Sequence, residues 1–196
     1  MKVFALIFLF VATTQAATYK LDPAHSQVGF SVKHLMVTNV KGEFKKFDGK
    51  FNYDSAKKEV KDIDISIDTE SIETGVVDRD THLKSNDFFD AKKYPKITFK
   101  SQKAEITPDG KTTKVKGMLT MRDKTLPVVL DVINNGEAEF MGVKKVGFSA
   151  STKVNRKDWG VSWNKGLDKG GVVVSDDVMI VIEGEANLDD GKPVKK

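Results

Sequence analysis

From Val28 to Leu188 the chain repeatedly alternates apolar and polar residues with a period of two, and this pattern decides most of what it can become. Successive side chains of an extended strand point to opposite faces, so strict alternation gives a strand one apolar face and leaves a helix none. Val28, Phe30, Val32 and His34 share a face, with Gln27, Ser31 and Lys33 opposite. Phe47, Phe51 and Tyr53 continue the pattern after Gly42, with Lys45-Lys46 placed as a bulge. Ile63, Ile65 and Ile67 alternate with Asp62, Asp64, Ser66 and Asp68. Ile97 and Phe99 follow Pro95, and then come Val115, Leu119 and Met121. Leu126, Val128, Leu130 and Val132 form the next run, followed by Val146, Phe148, Ala150 and Val154. Val178, Ile180, Ile182, Ala186 and Leu188 make the last, for about eight strands in all.

Turn chemistry separates the runs. Pro108-Asp109-Gly110 and Asn134-Asn135-Gly136 carry residues that preset or tolerate a turn, and Asp123-Lys124 sits where a tight hairpin would. Residues 73–94 lack alternation and are expected to hold a short helix or two, while residues 158–175 form a second, Gly-rich irregular stretch. Eight antiparallel strands with one apolar face build a sandwich or a closed barrel, and closure removes the aggregation-prone edges. A membrane-embedded barrel would turn its apolar face to lipid between aromatic girdles. Here it would have to pack many Lys, Asp and Glu into a narrow lumen, and the aromatics lie in mid-strand as often as at strand ends. The alternation therefore favours a soluble barrel.

The N-terminus reads as a cleavable leader. Lys2 supplies the positive start, and Val3 to Ala12 are ten apolar residues, half of the about 20 a membrane-spanning helix needs. Thr14 and Ala16 put small residues at −3 and −1, so cleavage is expected after Ala16. The expected organisation is a leader at 1–16, a barrel domain at 17–190 and a polar tail at 191–196. With no Cys in the chain, a lipid-anchored lipoprotein and a disulfide framework are both excluded. The formal net charge of +4 falls to +3 once Lys2 is removed, and Lys alternates with Asp and Glu throughout. That is a solvated exterior rather than the basic patch of a nucleic-acid binder.

Leu21-Asp22-Pro23-Ala24-His25-Ser26, running into Val28-Gly29-Phe30-Ser31-Val32-Lys33-His34, resembles the opening motif of the YceI-like family. Val40-Lys41-Gly42-Glu43-Phe44, Arg79-Asp80-Thr81-His82-Leu83, Asp87-Phe88-Phe89-Asp90, Tyr94-Pro95-Lys96-Ile97-Thr98-Phe99 and Asn155-Arg156-Lys157-Asp158-Trp159-Gly160 follow in the family's order. The resemblance implies an all-β, extended eight-stranded antiparallel lipocalin-like barrel, with a short helical segment after the third strand and an elongated apolar pore. It also implies a periplasmic protein that binds a polyisoprenoid or another long-chain lipid, with no catalytic activity established for the family as a class.

Such a pore needs length and apolar walls more than polar partners. The expected walls are Phe30, Val32, Phe44, Phe51, Ile65, Phe99, Leu119, Val128 and Phe148, with His34 able to touch a headgroup; plain core packing is the competing role for each. Phe88-Phe89 would either cap the opening or seal the core. Of the 32 Lys and Arg residues only Arg79, Arg122 and Arg156 are arginines, the residue type used where a planar, bidentate donor is required. Arg79 and Arg156 fall inside the motifs and are expected to pair with Asp78, Asp80 or Asp158, or to meet a headgroup. Arg122, beside a tight turn, is expected to be merely solvated. His25 and His34 are nine residues apart, so on one unbroken strand they face opposite ways; no metal and no cofactor is implied. Trp159, Trp163 and the run 166–171 are expected to form either a mobile flap or an ordinary loop with one buried Trp.

Neither a GxSxG elbow nor an HExxH helix nor a Cys nucleophile is present, so the expected function is a periplasmic binding or carrier protein for a long-chain amphiphile. An enzyme acting on a small amphiphile and a ligand-free stress-protective protein are the alternatives. No nucleic-acid partner and no stable membrane insertion are expected, and a homodimer stays open.

Overall fold

The structure, a computed structural model, describes residues 16–107, 112–168 and 170–191. The leader before residue 16, the Pro108-Asp109-Gly110 turn, Lys169 of the Gly-rich run and the tail beyond residue 191 lie outside the described residues. The strands are β1 (Ala17–Leu21), β2 (Gln27–His34), β3 (Thr38–Phe44), β4 (Phe47–Asp54), β5 (Glu59–Asp68) and β6 (Ile72–Glu73). After the helix α1 (Val77–Lys84) come β7 (Lys96–Ile106), β8 (Thr112–Met121), β9 (Lys124–Phe140), β10 (Val143–Asn155) and β11 (Val174–Leu188).

These segments form eight staves, because three of the staves are broken once. Pro23–His25 make a single 3-10 turn between β1 and β2, capped by the Asp22 side chain, which accepts from the Ala24 N–H at 3.0 Å. Between β3 and β4 the Lys45 N–H turns to the Ser71 carbonyl at 3.0 Å, while Lys46 O accepts from the Asp68 N–H at 2.8 Å. Thr69–Ser71 likewise part β5 from β6. The breaks keep alternation inward-facing while the stave changes direction. Every pairing is antiparallel, and β11 closes the ring by pairing with β1 at one end and β2 at the other. The third stave leads into α1, whose Asp78 and Asp80 at the start and His82 and Lys84 at the end complement the helix dipole.

Two turns differ in outcome. Met121 pairs with Lys124, so Arg122-Asp123 form the two-residue loop of a tight hairpin, with Arg122 at φ +55°. Asn134-Asn135-Gly136, expected to be a turn, instead lies inside β9. Gly147 opposes Gly136 and Phe148 opposes Asn134, which leaves Asn135 as the extra residue of a bulge, and the chain reverses only at Met141-Gly142. The turn chemistry was real, but long-range pairing with β10 absorbed its positive φ into a ladder.

At the α1 pole, Phe88, Trp159 and Val161 are buried, and Trp159 Nε1 donates to the Leu119 carbonyl at 3.1 Å. Arg122 is not merely solvated. Its Nη1 bridges the carbonyls of Phe88 (2.9 Å) and Gly160 (2.8 Å), tying both irregular segments to the barrel, and its guanidinium lies over the Tyr94 ring. A left-handed turn residue aims this side chain back over the pole, which its sequence position does not reveal. Toward the opposite pole Tyr19, Leu21, Phe51, Tyr53, Val146 and Ala186 form a second buried cluster.

Candidate functional site

The inward faces enclose a cavity of about 540 Å³, within the range of ligand pockets. On β10 its wall runs from Val146 to Val154, eight residue steps or about 27 Å of strand. At the usual barrel tilt this is about 20 Å of axis. All ten expected ligand-side residues, Phe30, Val32, His34, Phe44, Phe51, Ile65, Phe99, Leu119, Val128 and Phe148, lie on this wall. Phe88 and Phe89 lie on it too: Phe88 is buried against His82 and Trp163, and Phe89 meets Phe44 edge-on at 5.9 Å.

A lumen survives among so many rings because several side chains lie flat against glycines. Phe30 faces Gly42 across the β2–β3 ladder, Phe148 faces Gly184 across β10–β11, and Ile65 faces Gly49 across β4–β5. A Cβ built on Gly42, Gly184 or Gly117 would come within 2.4 Å of the ring of Phe30, Phe148 or Phe99 respectively. Gly49 would meet Ile65 Cδ1 at 2.3 Å. Interior strand glycines mark such close approaches. Sequence reasoning passed over these four seats; the signal was a glycine in mid-run beside an inward aromatic.

Polar groups gather at the two ends of the cavity. At the α1 pole are His34, Arg79, His82 and Arg156, and at the other are Tyr53, Lys58, Thr113 and Asn134. The second set was not anticipated from the sequence. Tyr53 donates to Glu137 Oε1 at 2.9 Å and accepts from Asn134 Nδ2 at 2.7 Å. Burial first, and the Glu137 carboxylate second, push its phenol up to about 12.

The arginines take partners other than those expected. Arg79 donates from Nε to Thr74 Oγ1 (2.7 Å) and from Nη2 to Thr74 O (3.0 Å), and forms no ion pair with Asp78 or Asp80 among the described residues. Asp80 instead accepts from the Thr74 N–H at 2.8 Å. Arg156, 5% exposed, donates to the carbonyls of Val161 (2.6 Å), Ser175 (2.9 Å) and Val174 (3.3 Å). Its ionic neighbour is Asp176 at 3.7 Å rather than Asp158. Burial lowers its pKa, opposed by Asp176. In both cases backbone geometry, not sequence proximity of carboxylates, chose the partner.

The histidines are dispersed. His34 lines the cavity, whereas His25 lies outside with Nδ1 3.0 Å from Asp22 Oδ2 and 3.9 Å from Glu185 Oε1. Asp22, His25 and Glu185 have the spacing of a metal site, but the Lys145 ammonium already sits 2.5 Å from Glu185 and 4.0 Å from Asp22. His82 lies on α1, and its Nε2 meets Asp87 Oδ2 at 2.9 Å. Its ring packs edge-on to Phe88 and Trp163, both centroids at 5.0 Å. Trp159 is the buried tryptophan of its loop, and Trp163 is half-buried on the cavity wall.

The sequence profile of the YceI-like domain matches residues 19–186. The chain belongs to the YceI-like family. This YceI-like chain is 40% identical over 149 residues to a UPF0312 protein of Pseudomonas putida, covering 74% of the chain and 77% of that relative. The crystal structure of the Campylobacter jejuni YceI protein matches with a TM-score of 0.71 at 35% identity, over 97% of this chain and all of that one (100%). A polyisoprenoid-binding domain from Saccharophagus degradans shares the fold at 13% identity and a TM-score of 0.60, over 89% of this chain and 99% of that one.

Proposed function

We propose that this protein is a periplasmic carrier that holds a long-chain amphiphile, a polyisoprenoid or a similar lipid, inside the barrel. The observation that carries this reading is the apolar cavity running along the axis with its rings seated on glycines. A well-packed core would have filled that space, since interiors normally leave few voids larger than a water molecule. Burial of a prenyl or acyl chain gains about 0.8 kcal/mol per CH₂, so about ten buried methylenes supply about 8 kcal/mol before the costs of ordering. The fold shared with the polyisoprenoid-binding domain of Saccharophagus degradans agrees with this chemistry. Export follows from the leader at residues 1–16, and a carrier is what an apolar molecule requires to cross an aqueous compartment.

Native mass spectrometry of the protein isolated from a periplasmic extract, followed by organic extraction, tests both parts. The expected result is a co-purifying long-chain lipid on a chain beginning at Ala17. Phe148→Asp, which places a carboxylate on the cavity wall, is expected to abolish uptake while the fold survives. Protein that stays empty and takes up neither prenyl nor acyl probes would refute the carrier reading, and turnover of the bound lipid would favour an enzyme.

A further inference from the structure

The barrel wall is not closed everywhere. Strands β5 and β7 pair from Asp68↔Lys96 to Asp64↔Lys100 and no further. Beyond that level both remain strands but pair only outward: β5 with β4 as far as Glu59, and β7 with β8 as far as Ile106. Continued register would set Ile63 opposite Ser101 and Lys61 opposite Lys103. Instead the Ile63 N–H is taken by the Ser101 hydroxyl at 2.8 Å, which ends the ladder.

Three irregularities lie at this same level. The β4–β5 register shifts between Lys50 and Asn52, and Asp62 on β5 stands at φ +51°. The β7–β8 register shifts between Ser101 and Lys103. Bulges bend a strand and increase its twist, so each stave is turned where the two part. Left-handed backbone is unusual for a residue other than glycine, and Asp is among those that tolerate it.

On the β5 side of this slit Val60 and Ile63 line the cavity, as do Leu130 and Val132 of β9. Two of its polar wall residues here, Lys58 and Asn134, are exposed, so the cavity reaches solvent at this pole. Lys58 forms no ion pair among the described residues, whereas its neighbours Lys57 and Lys61 pair with Asp54 and Glu59. At the α1 pole Asp78 is likewise an exposed wall residue, but buried Phe88, Trp159 and Val161 lie there and Arg122 ties their segments to the barrel.

We propose that the slit between β5 and β7 is the portal through which an amphiphile's chain enters the cavity, with Lys58 receiving an anionic headgroup at its outer end. The proposal rests on the carrier reading above. Widening the slit below the Ile63–Ser101 bond breaks no β5–β7 ladder hydrogen bonds, because none is made there. Pairing also lapses between β9 and β10 beyond Asp131↔Ser151 and along the outer edge of β3 before Glu43. At the first of these the turn Arg156–Trp159 is held to the wall, by Lys124 Nζ donating to the Asp158 carbonyl at 2.9 Å and Trp159 Nε1 donating to the Leu119 carbonyl at 3.1 Å. A chain can slide in sideways, and its charged end stops at the cation.

The chain has no Cys, so introduced thiols are unique. Lys61→Cys/Lys103→Cys would be joined by a flexible, disulfide-containing bismaleimide, with the bridge verified by intact mass. Uptake of cis-parinaric acid would be followed by stopped-flow fluorescence. Bridging is expected to slow uptake at least tenfold and reduction of the linker to restore it, with the equilibrium affinity unchanged. A bulky maleimide on Ala104→Cys, at the slit's edge, should slow uptake as well. The same bridge across the α1 pole, Val37→Cys/Val77→Cys, should leave the rate alone. Lys58→Gln should weaken parinaric acid severalfold without weakening its methyl ester, and Lys58→Arg should restore it. Uptake unchanged by both slit modifications, or slowed by the α1-pole bridge instead, overturns the portal. Equal loss of acid and ester overturns the role of Lys58. Failure of the unmodified protein to take up any chain would overturn the carrier reading itself.

Discussion

Gly184→Ala should damage ligand binding far more than it damages the fold. The new Cβ would stand 2.3 Å from Phe148 Cζ and 2.8 Å from both Cε1 and Cε2. All three atoms belong to the far end of one side chain, so the backbone need not move, but the ring must leave the wall. On its other side lies the cavity, apart from the edge of Phe51 with centroids 5.8 Å apart. The stability cost should fall at the low end of the overpacking range, about 1 kcal/mol. Inside the lumen the ring takes the place of about four methylenes of ligand, and at about 0.8 kcal/mol each this costs about 3 kcal/mol, or roughly 100-fold in Kd. Fluorescence titration with a long-chain amphiphile, alongside urea denaturation, reads both quantities. Gly117→Ala is the contrast, because its Cβ would also lie 2.6 Å from the Lys100 carbonyl oxygen, which cannot swing aside. That variant should lose stability first. Affinity of Gly184→Ala within threefold of the parent would show that the glycine seat is not what keeps the lumen open.

Arg156→Ala strands the buried carbonyl of Val161 and the part-buried carbonyls of Val174 and Ser175, and at about 1–2 kcal/mol for each should cost about 3–6 kcal/mol in urea denaturation. A loss below 1 kcal/mol would contradict that assignment. Arg122→Ala should release the segments carrying Phe88 and Gly160, seen as faster amide hydrogen exchange at that pole, with the opposite pole unaffected. Burial raises the pKa of Asp22, but hydrogen bonds from His25, the Ala24 N–H and Asn187 outweigh it and hold the carboxyl below its ordinary value. Its stabilisation is therefore complete above about pH 4 and drains away as pH falls through the lower folded value. The Tm difference between the parent and Asp22→Asn should shrink across that acid window, and a constant difference would show that Asp22 is not the group involved.

The closed barrel was legible because alternation is local: Ile63, Ile65 and Ile67 declare one face whatever they pack against. The same periodicity placed ten residues on the inner wall, since the inner face of a closed barrel is one face of every strand. The break at Lys45 was also visible as bulge chemistry, whereas the turn at Pro23 went unread. Arg79 and Arg156 were legible as special residues, but not as carbonyl clamps, since their acceptors on Thr74, Val161, Val174 and Ser175 are assembled by loops that no periodicity describes. Asn134-Asn135-Gly136 shows the limit from the other side, because a good turn sequence became a bulge once β10 supplied a longer ladder. Alternation thus fixed which side chains face inward, a property of single strands. Whether the inward face encloses a filled core or an open lumen depends on which residue stands across the ladder. Only the pairing of Phe148 with Gly184 and of Phe30 with Gly42, and the failure of β5 to pair with β7 beyond Asp64, decided that, because register is set between strands and not within them.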